Sequence, residues 1–169
     1  EAKPMHHMQV HLIAARNLEA VDKTLFGRKG SSDPLVTFSL DGSKAKSSVK
    51  KKSLNPTWEE SFDLEFMDDT ATLEIQVMDY DLVGSNDFMG GVSIPLSDLR
   101  DHSEHRGWHK LRNEKGEEDR ARGEVELALC WRKPGGDGRP STAARDKARK
   151  FRERKLHALR ETVSRAEEE

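Results

Sequence analysis

Three aspartates crowd into nine positions of the stretch MDYDLVGSNDFMGG, residues 78–91: Asp79, Asp81 and Asp87. Gly84, Ser85 and Asn86, which favour turns, lie among them. At about 4 Å and an effective dielectric near 20, one like-charged pair costs on the order of 4 kcal/mol. Either the loop splays its carboxylates into water, or a cation holds them together. A second acidic loop, NLEAVDKTLFGRKGSSDPLV, carries Asp22 and Asp33. If both loops meet, five carboxylates face one another and need cations between them. Hard oxygen donors at this density suit Ca²⁺, which accepts six to eight oxygens in flexible geometry. Mg²⁺ demands a tighter octahedron and keeps its waters. Zn²⁺ is disfavoured because neither loop holds His or Cys. The Asp79 loop also lacks the Glu at position twelve of an EF-hand.

The elements around these loops read as strands. Period-two alternation runs through Met8, Val10, Leu12 and Ala14, then through Val36, Phe38 and Leu40. It continues in Trp58, Glu60, Phe62, Leu64 and Phe66, in Leu73, Ile75, Val77 and Asp79, and in Val125, Leu127, Leu129 and Trp131. KAKSSVKKK, FMGGVSIPL and GWHKL supply three further candidates, giving eight strands split by turn signals such as Asp41-Gly42 and Asn55-Pro56. Eight short, half-buried strands without strong helices between them predict an all-β, antiparallel β-sandwich. A sandwich gathers its loops at its two ends, so the loops after strands one and five can share an end. SDLRDHSE reads as a short helix capped by Ser97, and His6 and His7 as a solvated start.

Composition sets the outer limits. Charged residues make up 36% of the 169 and hydrophobic ones 34%, lean for a wholly globular chain. After Trp131 the segment RKPGGDGRPS reads as a linker over 133–141, and 142–169 as a basic helical tail free of Gly and Pro. Residues 134–169 hold 10 Lys/Arg against 7 Asp/Glu, out of 29 and 31 in the chain, so the preceding part is net acidic. The single cysteine, Cys130, excludes an internal disulfide and points to a reducing compartment. No apolar run approaches the roughly 18 residues of a membrane span, and no signal peptide is visible. Because the chain begins with Glu1, it is expected to be part of something longer. No motif orders Ser, His and Asp into a catalytic triad, so no enzymatic activity is expected.

SSDPLVTF, SLNPTWEESFDLEF, VMDYDLVGSNDFMGG and IPLSDL, in that order, resemble a C2 domain, and most of all the C2 domains of synaptotagmins and extended synaptotagmins. The resemblance covers residues 8–132. It implies the permuted type II topology, in which the first strand leads directly into the first acidic loop. It also implies that Asp22 and Asp33 of the first loop, with Asp79, Asp81 and Asp87 of the third, hold two to three calcium ions. Asp22 and Asp33 stand eleven apart where many members have about six, a spacing similar to that of extended synaptotagmins. Leu35 stands where the family usually has Tyr.

Each candidate also has an ordinary explanation. The aspartates could be solvated turn residues. Leu25 and Phe26 of the first loop and Leu82 and Val83 of the third could cap the core; exposed, they would insert into lipid. Lys44, Lys46, Lys50, Lys51 and Lys52 could guard an edge strand; the resemblance implies a phosphoinositide-binding groove instead. In a regular strand Lys44, Lys46, Lys50 and Lys52 would share one face. The tail could be solvated, form a coiled coil or dock a protein partner; its arginines lack the aromatic platform of a nucleic-acid binder. The expected function is a calcium-dependent phospholipid-binding module, peripheral at the cytoplasmic face of membranes. Phosphatidylserine and phosphoinositides are the expected lipids. The alternatives are a protein-interaction scaffold and the regulatory C2 domain of a larger enzyme.

Overall fold

Alternating apolar residues bury one face of each strand, and two such faces close on each other. In the computed structural model, which describes residues 3–20, 31–118, 122–133, 149–150, 152–158 and 160, all eight expected strands form. They are β1 (His6–Arg16), β2 (Pro34–Leu40), β3 (Ser43–Lys46), β4 (Thr57–Phe66), β5 (Thr72–Asp79), β6 (Asp87–Pro95), β7 (His105–Lys110) and β8 (Glu124–Arg132). One antiparallel sheet has the order β4-β1-β8-β7, the other β3-β2-β5-β6. The core between them is built from Met8, Val10, Leu12, Val36, Phe38, Leu64, Ile75, Val77, Leu127 and their neighbours. The first acidic loop joins β1 to β2, the other joins β5 to β6, and the C-terminal strand β8 pairs with β1. The chain divides into two compact units, Glu1–Pro134 and Gly135–Glu169. In the second, residues 149–150, 152–158 and 160 are helical.

Four local expectations change. Alternation in β1 breaks after Leu12: Ile13 and Ala15 are buried and Ala14 is not. A β-bulge between Leu12 and Ala14 inserts one residue relative to β8 and exchanges the two faces. His6 is part of β1, not of a solvated start, and its ring lies 5.2 Å from both Phe66 and Trp131. The helix expected at SDLRDHSE is a 3-10 turn, Leu96–Leu99, whose N-cap is Pro95 rather than Ser97. Its i and i+3 leucines, Leu96 and Leu99, both reach the core, which a single 3-10 turn accomplishes with stacked positions. Strand β3 stops at Lys46 instead of running on through the lysines.

Both sheets are tied along one edge through Gly91 of β6 and Arg112, which follows β7. Gly91 N–H donates to Arg112 O at 3.0 Å, and Arg112 N–H to Gly91 O at 2.9 Å. The crossing is so close that a Cβ on Gly90 would stand 2.7 Å from Leu111 Cβ. Gly90→Ala therefore overpacks a rigid contact and is expected to destabilise the domain by about 1–3 kcal/mol. Urea denaturation checks this as a lowered midpoint at unchanged slope.

Candidate metal centre

The alternation that buries Leu73, Ile75 and Val77 carries on for one more step, to Asp79. Its side chain is turned inward and only 4% exposed, at the end of an apolar stripe. Three strands terminate in the same row: Asp79 lies opposite Pro34 at the start of β2 and opposite Asp87 at the start of β6. Asp33 immediately precedes Pro34. Its N–H donates to Asp79 Oδ1 at 2.8 Å, and its carbonyl accepts Tyr80 N–H at 2.9 Å. The two loops therefore meet, and Asp33, Asp79 and Asp87 occupy one end of the sheet. Asp81 follows in the third loop. Its N–H donates to Asn86 Oδ1, and its own Oδ1 accepts Val83 N–H, both at 3.0 Å. These short side-chain-to-backbone bonds fix the turn.

The segment between the lysines and Trp58 braces the stems of the first loop. On the returning stem, Lys50 N–H donates to Pro34 O, Ser53 N–H to Ser32 O, and Lys52 N–H to Asp33 Oδ1 at 2.7 Å. Lys52 reaches that carboxylate with φ of +51°, in the left-handed region. On the outgoing stem, Asn55 Oδ1 accepts Asn17 N–H at 2.9 Å, and Leu54 O accepts Leu18 N–H at 3.1 Å. Trp58 Nε1 donates to Ser48 O at 2.8 Å and fastens the brace to the core. In the sequence, LNPTW carries the family resemblance and does not by itself show this brace. The Asn55-Pro56 turn beside a buried aromatic was the available signal for this support.

Asp22, Leu25 and Phe26 lie outside the described residues. Leu82 and Val83 are 86% and 84% exposed, so they do not cap the core. Lys44 and Lys46 share the exposed positions of β3. Lys50 and Lys52 do not continue that strand face. Ser47 is buried, with its Oγ accepting Val36 N–H, and the pairing then skips from Ser47 opposite Val36 to Lys50 opposite Pro34. Three steps on one chain against two on the other shift the parity. Lys50 is partly buried, and Lys52 is exposed in the brace turn.

Among the described residues, no group of three or more His, Cys, Asp or Glu side chains could by itself hold a metal ion. The donor set nevertheless fits a hard cation. Asp33 and Asp81 each use one oxygen to orient the carboxylate on a backbone amide, and the second is a donor of the type Ca²⁺ takes. Asp79 supplies a desolvated carboxylate, which favours a counter-charge strongly.

A two-sheet sandwich with acidic loops converging at one end defines a class, and comparison with known proteins identifies it. The C2 domain family pattern matches residues 6–111, and the chain belongs to that family. Ras GTPase-activating protein 4 of Mus musculus is 34% identical over 109 residues, 64% of this chain and 14% of that protein. Synaptotagmin-3 of Arabidopsis thaliana is 40% identical over 101 residues, 57% of this chain and 18% of that protein. The chain thus spans only a small part of the length of these relatives. Among solved structures, the C2A domain of plant extended synaptotagmin 1 superposes with a TM-score of 0.64 at 27% identity, covering 78% of this chain and 97% of that one. The calcium-bound C2A and C2B domains of extended synaptotagmin 2 give a TM-score of 0.64 at 26% identity, covering 75% and 45%.

The buried charge has a stability consequence. Asp79→Asn keeps an acceptor for the Asp33 amide and removes the desolvated charge and its repulsion. The melting temperature in chelator is expected to rise, by about 2–4 °C for each kcal/mol recovered. Calorimetry checks this; a fall would mean that the carboxylate is already compensated within the protein.

Proposed function

We propose that the chain is a non-catalytic, calcium-dependent phospholipid-binding module. Asp22, Asp33, Asp79, Asp81 and Asp87 coordinate two to three calcium ions, and anionic lipid completes the coordination. The observation that carries this reading is Asp79, a nearly buried carboxylate set in one row with Asp87 and hydrogen-bonded to Asp33. Its support is the C2 family and the likeness to a calcium-bound relative. Without metal, the acidic loops repel an anionic surface. With metal, the charge at that end reverses, and phosphate or carboxylate oxygens of phosphatidylserine fill the open coordination positions. Leu82 and Val83, with Leu25 and Phe26, then enter the headgroup layer; each buried side chain contributes roughly 1.5–3 kcal/mol. Among the described residues no helix is long and apolar enough to cross a membrane, and the module works as a peripheral one at the cytoplasmic face.

A second reading is that the module regulates or scaffolds a longer protein, with the basic tail docking a partner. It draws on the short share of each relative that the chain spans. In that case calcium and lipid would have little effect on the isolated chain.

Co-sedimentation with phosphatidylserine vesicles, in Ca²⁺ or chelator, separates the readings. Calcium-dependent binding is expected, and Asp79→Asn with Asp81→Asn is expected to abolish it while the fold survives. In solution, Ca²⁺ at about 100-fold over Kd should stabilise the native state by roughly 2.7 kcal/mol, and Mg²⁺ much less. No thermal shift at millimolar Ca²⁺ would favour the scaffold.

Lys44 and Lys46, on the exposed face of β3, form a separate phosphoinositide-binding flank, each Lys contributing about 1 kcal/mol near an anionic surface. Lys44→Ala with Lys46→Ala is expected to weaken phosphoinositide vesicle binding in chelator. The difference should shrink at high salt as the charges are screened. Equal binding by mutant and parent at low salt would return these lysines to guarding an edge.

A further inference from the structure

Of three tryptophans, Trp58 and Trp131 are buried in the core, whereas Trp108 is 38% exposed on β7. Alternation in β7 turns Arg106, Trp108 and Lys110 to solvent. The Arg16 guanidinium covers the Trp108 ring at 3.9 Å. The register locates this group. Lys110 lies opposite Glu124, which lies opposite Arg16, the last residue of β1. Because β1 runs directly into the first acidic loop, that row is the rim of the sheet at the metal end. Trp108 stands two residues, about 7 Å, below the rim. Glu124 is held by Arg16 at 2.7 Å and Glu126 by Arg106 at 3.0 Å, so the Lys110 charge leaves the patch net positive.

The lateral position matters as well. β7 is an edge strand, and the Gly91–Arg112 hydrogen bonds tie its C-terminal side to β6, which begins at Asp87. β3, with Lys44 and Lys46, is the far edge of the other sheet. The exposed indole is therefore on the side of the sandwich where β6 leads back to the third loop, and away from β3 and its lysines. A ring with an apolar body and a polar N–H suits the boundary between headgroups and acyl chains.

We propose that Trp108, with Lys110 beside it, is a second contact with the anionic lipid surface, made when the calcium-loaded module leans onto its β7 flank. This rests on the lipid-binding reading above and adds an orientation to it. A lean that lowers β7 raises β3, so the tryptophan and lysine flanks contact the membrane in different poses. Arg16 keeps the indole flat against the sheet in solution, and lipid phosphates compete for that guanidinium at the surface.

The test uses the intact chain and vesicles of phosphatidylcholine and phosphatidylserine in which part of the phosphatidylcholine carries brominated acyl chains. Trp58 and Trp131 are shielded, so calcium-dependent bromine quenching reports Trp108. The expected result is quenching of the parent that disappears in Trp108→Phe. Trp108→Ala is expected to lose about tenfold in vesicle affinity, the worth of one partly buried aromatic side chain, with its calcium-induced thermal shift in solution unchanged. Calcium-dependent sedimentation with the same quenching in parent and Trp108→Phe overturns the proposal and leaves the lipid-binding reading standing. No calcium-dependent sedimentation of the parent overturns both. A dimer in light scattering that Trp108→Ala disperses assigns this face to a second copy and overturns the lipid contact.

Discussion

The domain depends on a conflict placed at one point of its core: a strand whose parity buries three aliphatic side chains also buries the carboxylate that follows them. Leu73, Ile75 and Val77 face inward without exposure, and Asp79 cannot escape the same face without breaking the pairing to both Pro34 and Asp87. A desolvated carboxylate is costly unless hydrogen-bonded or paired. The Asp33 amide provides part of the compensation, which is why the end of β5 and the stem of the first loop are one structure rather than two. On the proposed calcium-binding function, metal binding at this end is continuous with folding: the same residue terminates the core and begins the candidate site.

Placement of the first loop follows from a different segment. Residues 50–56 contribute no ligand, yet their backbone and Asn55 hold both stems of the loop that carries Asp22. Left-handed conformations at Asn17 and Lys52 are the local cost of that fit. The lysine run is therefore divided in its work. Lys44 and Lys46 keep exposed strand positions, while the turn that contains Lys52 donates an amide to Asp33. One basic stretch thus presents side chains on β3 and a backbone amide at the stem of the first loop.

Much of this could be read from the sequence, and the reasons differ by element. Regular alternation marked five of the eight strands, since a half-buried sheet imposes period two on its residues, and runs bounded by turn signals marked the other three. The acidic loops meet at Asp33 and Asp79, as the sandwich geometry allows. What alternation could not foresee were insertions that reverse it. The bulge after Leu12 exchanged Ala14 for Ile13 and Ala15, and the buried Ser47 ended β3 before Lys50. Both are decided by long-range pairing with a partner strand, which carries no local mark. His6 was misjudged for the same reason: its aromatic neighbours, Phe66 and Trp131, come from the two strands flanking β1. The burial of Asp79, by contrast, was written in its parity.

Aspartates elsewhere in the fold show why that burial separates a site from a turn. Asp41 accepts the N–H groups of Asp68 and Met67, Asp68 the hydroxyl and N–H of Thr70, and Asp101 the His105 ring and both groups of Ser103. These donors hold all three carboxyls below the ordinary range, with Asp101 at about 2. Each lies at the surface and is answered by neighbours close by in the fold, so each is complete without a ligand. Asp81 shares part of that character through Val83 N–H. Asp79 differs: it accepts the Asp33 N–H from the other acidic loop, and its surroundings are aliphatic. Counting aspartates in loops would have marked both ends of the sandwich alike. Asking which carboxylate is withdrawn from water, and whose amides answer it, marks only the end where β2, β5 and β6 terminate together.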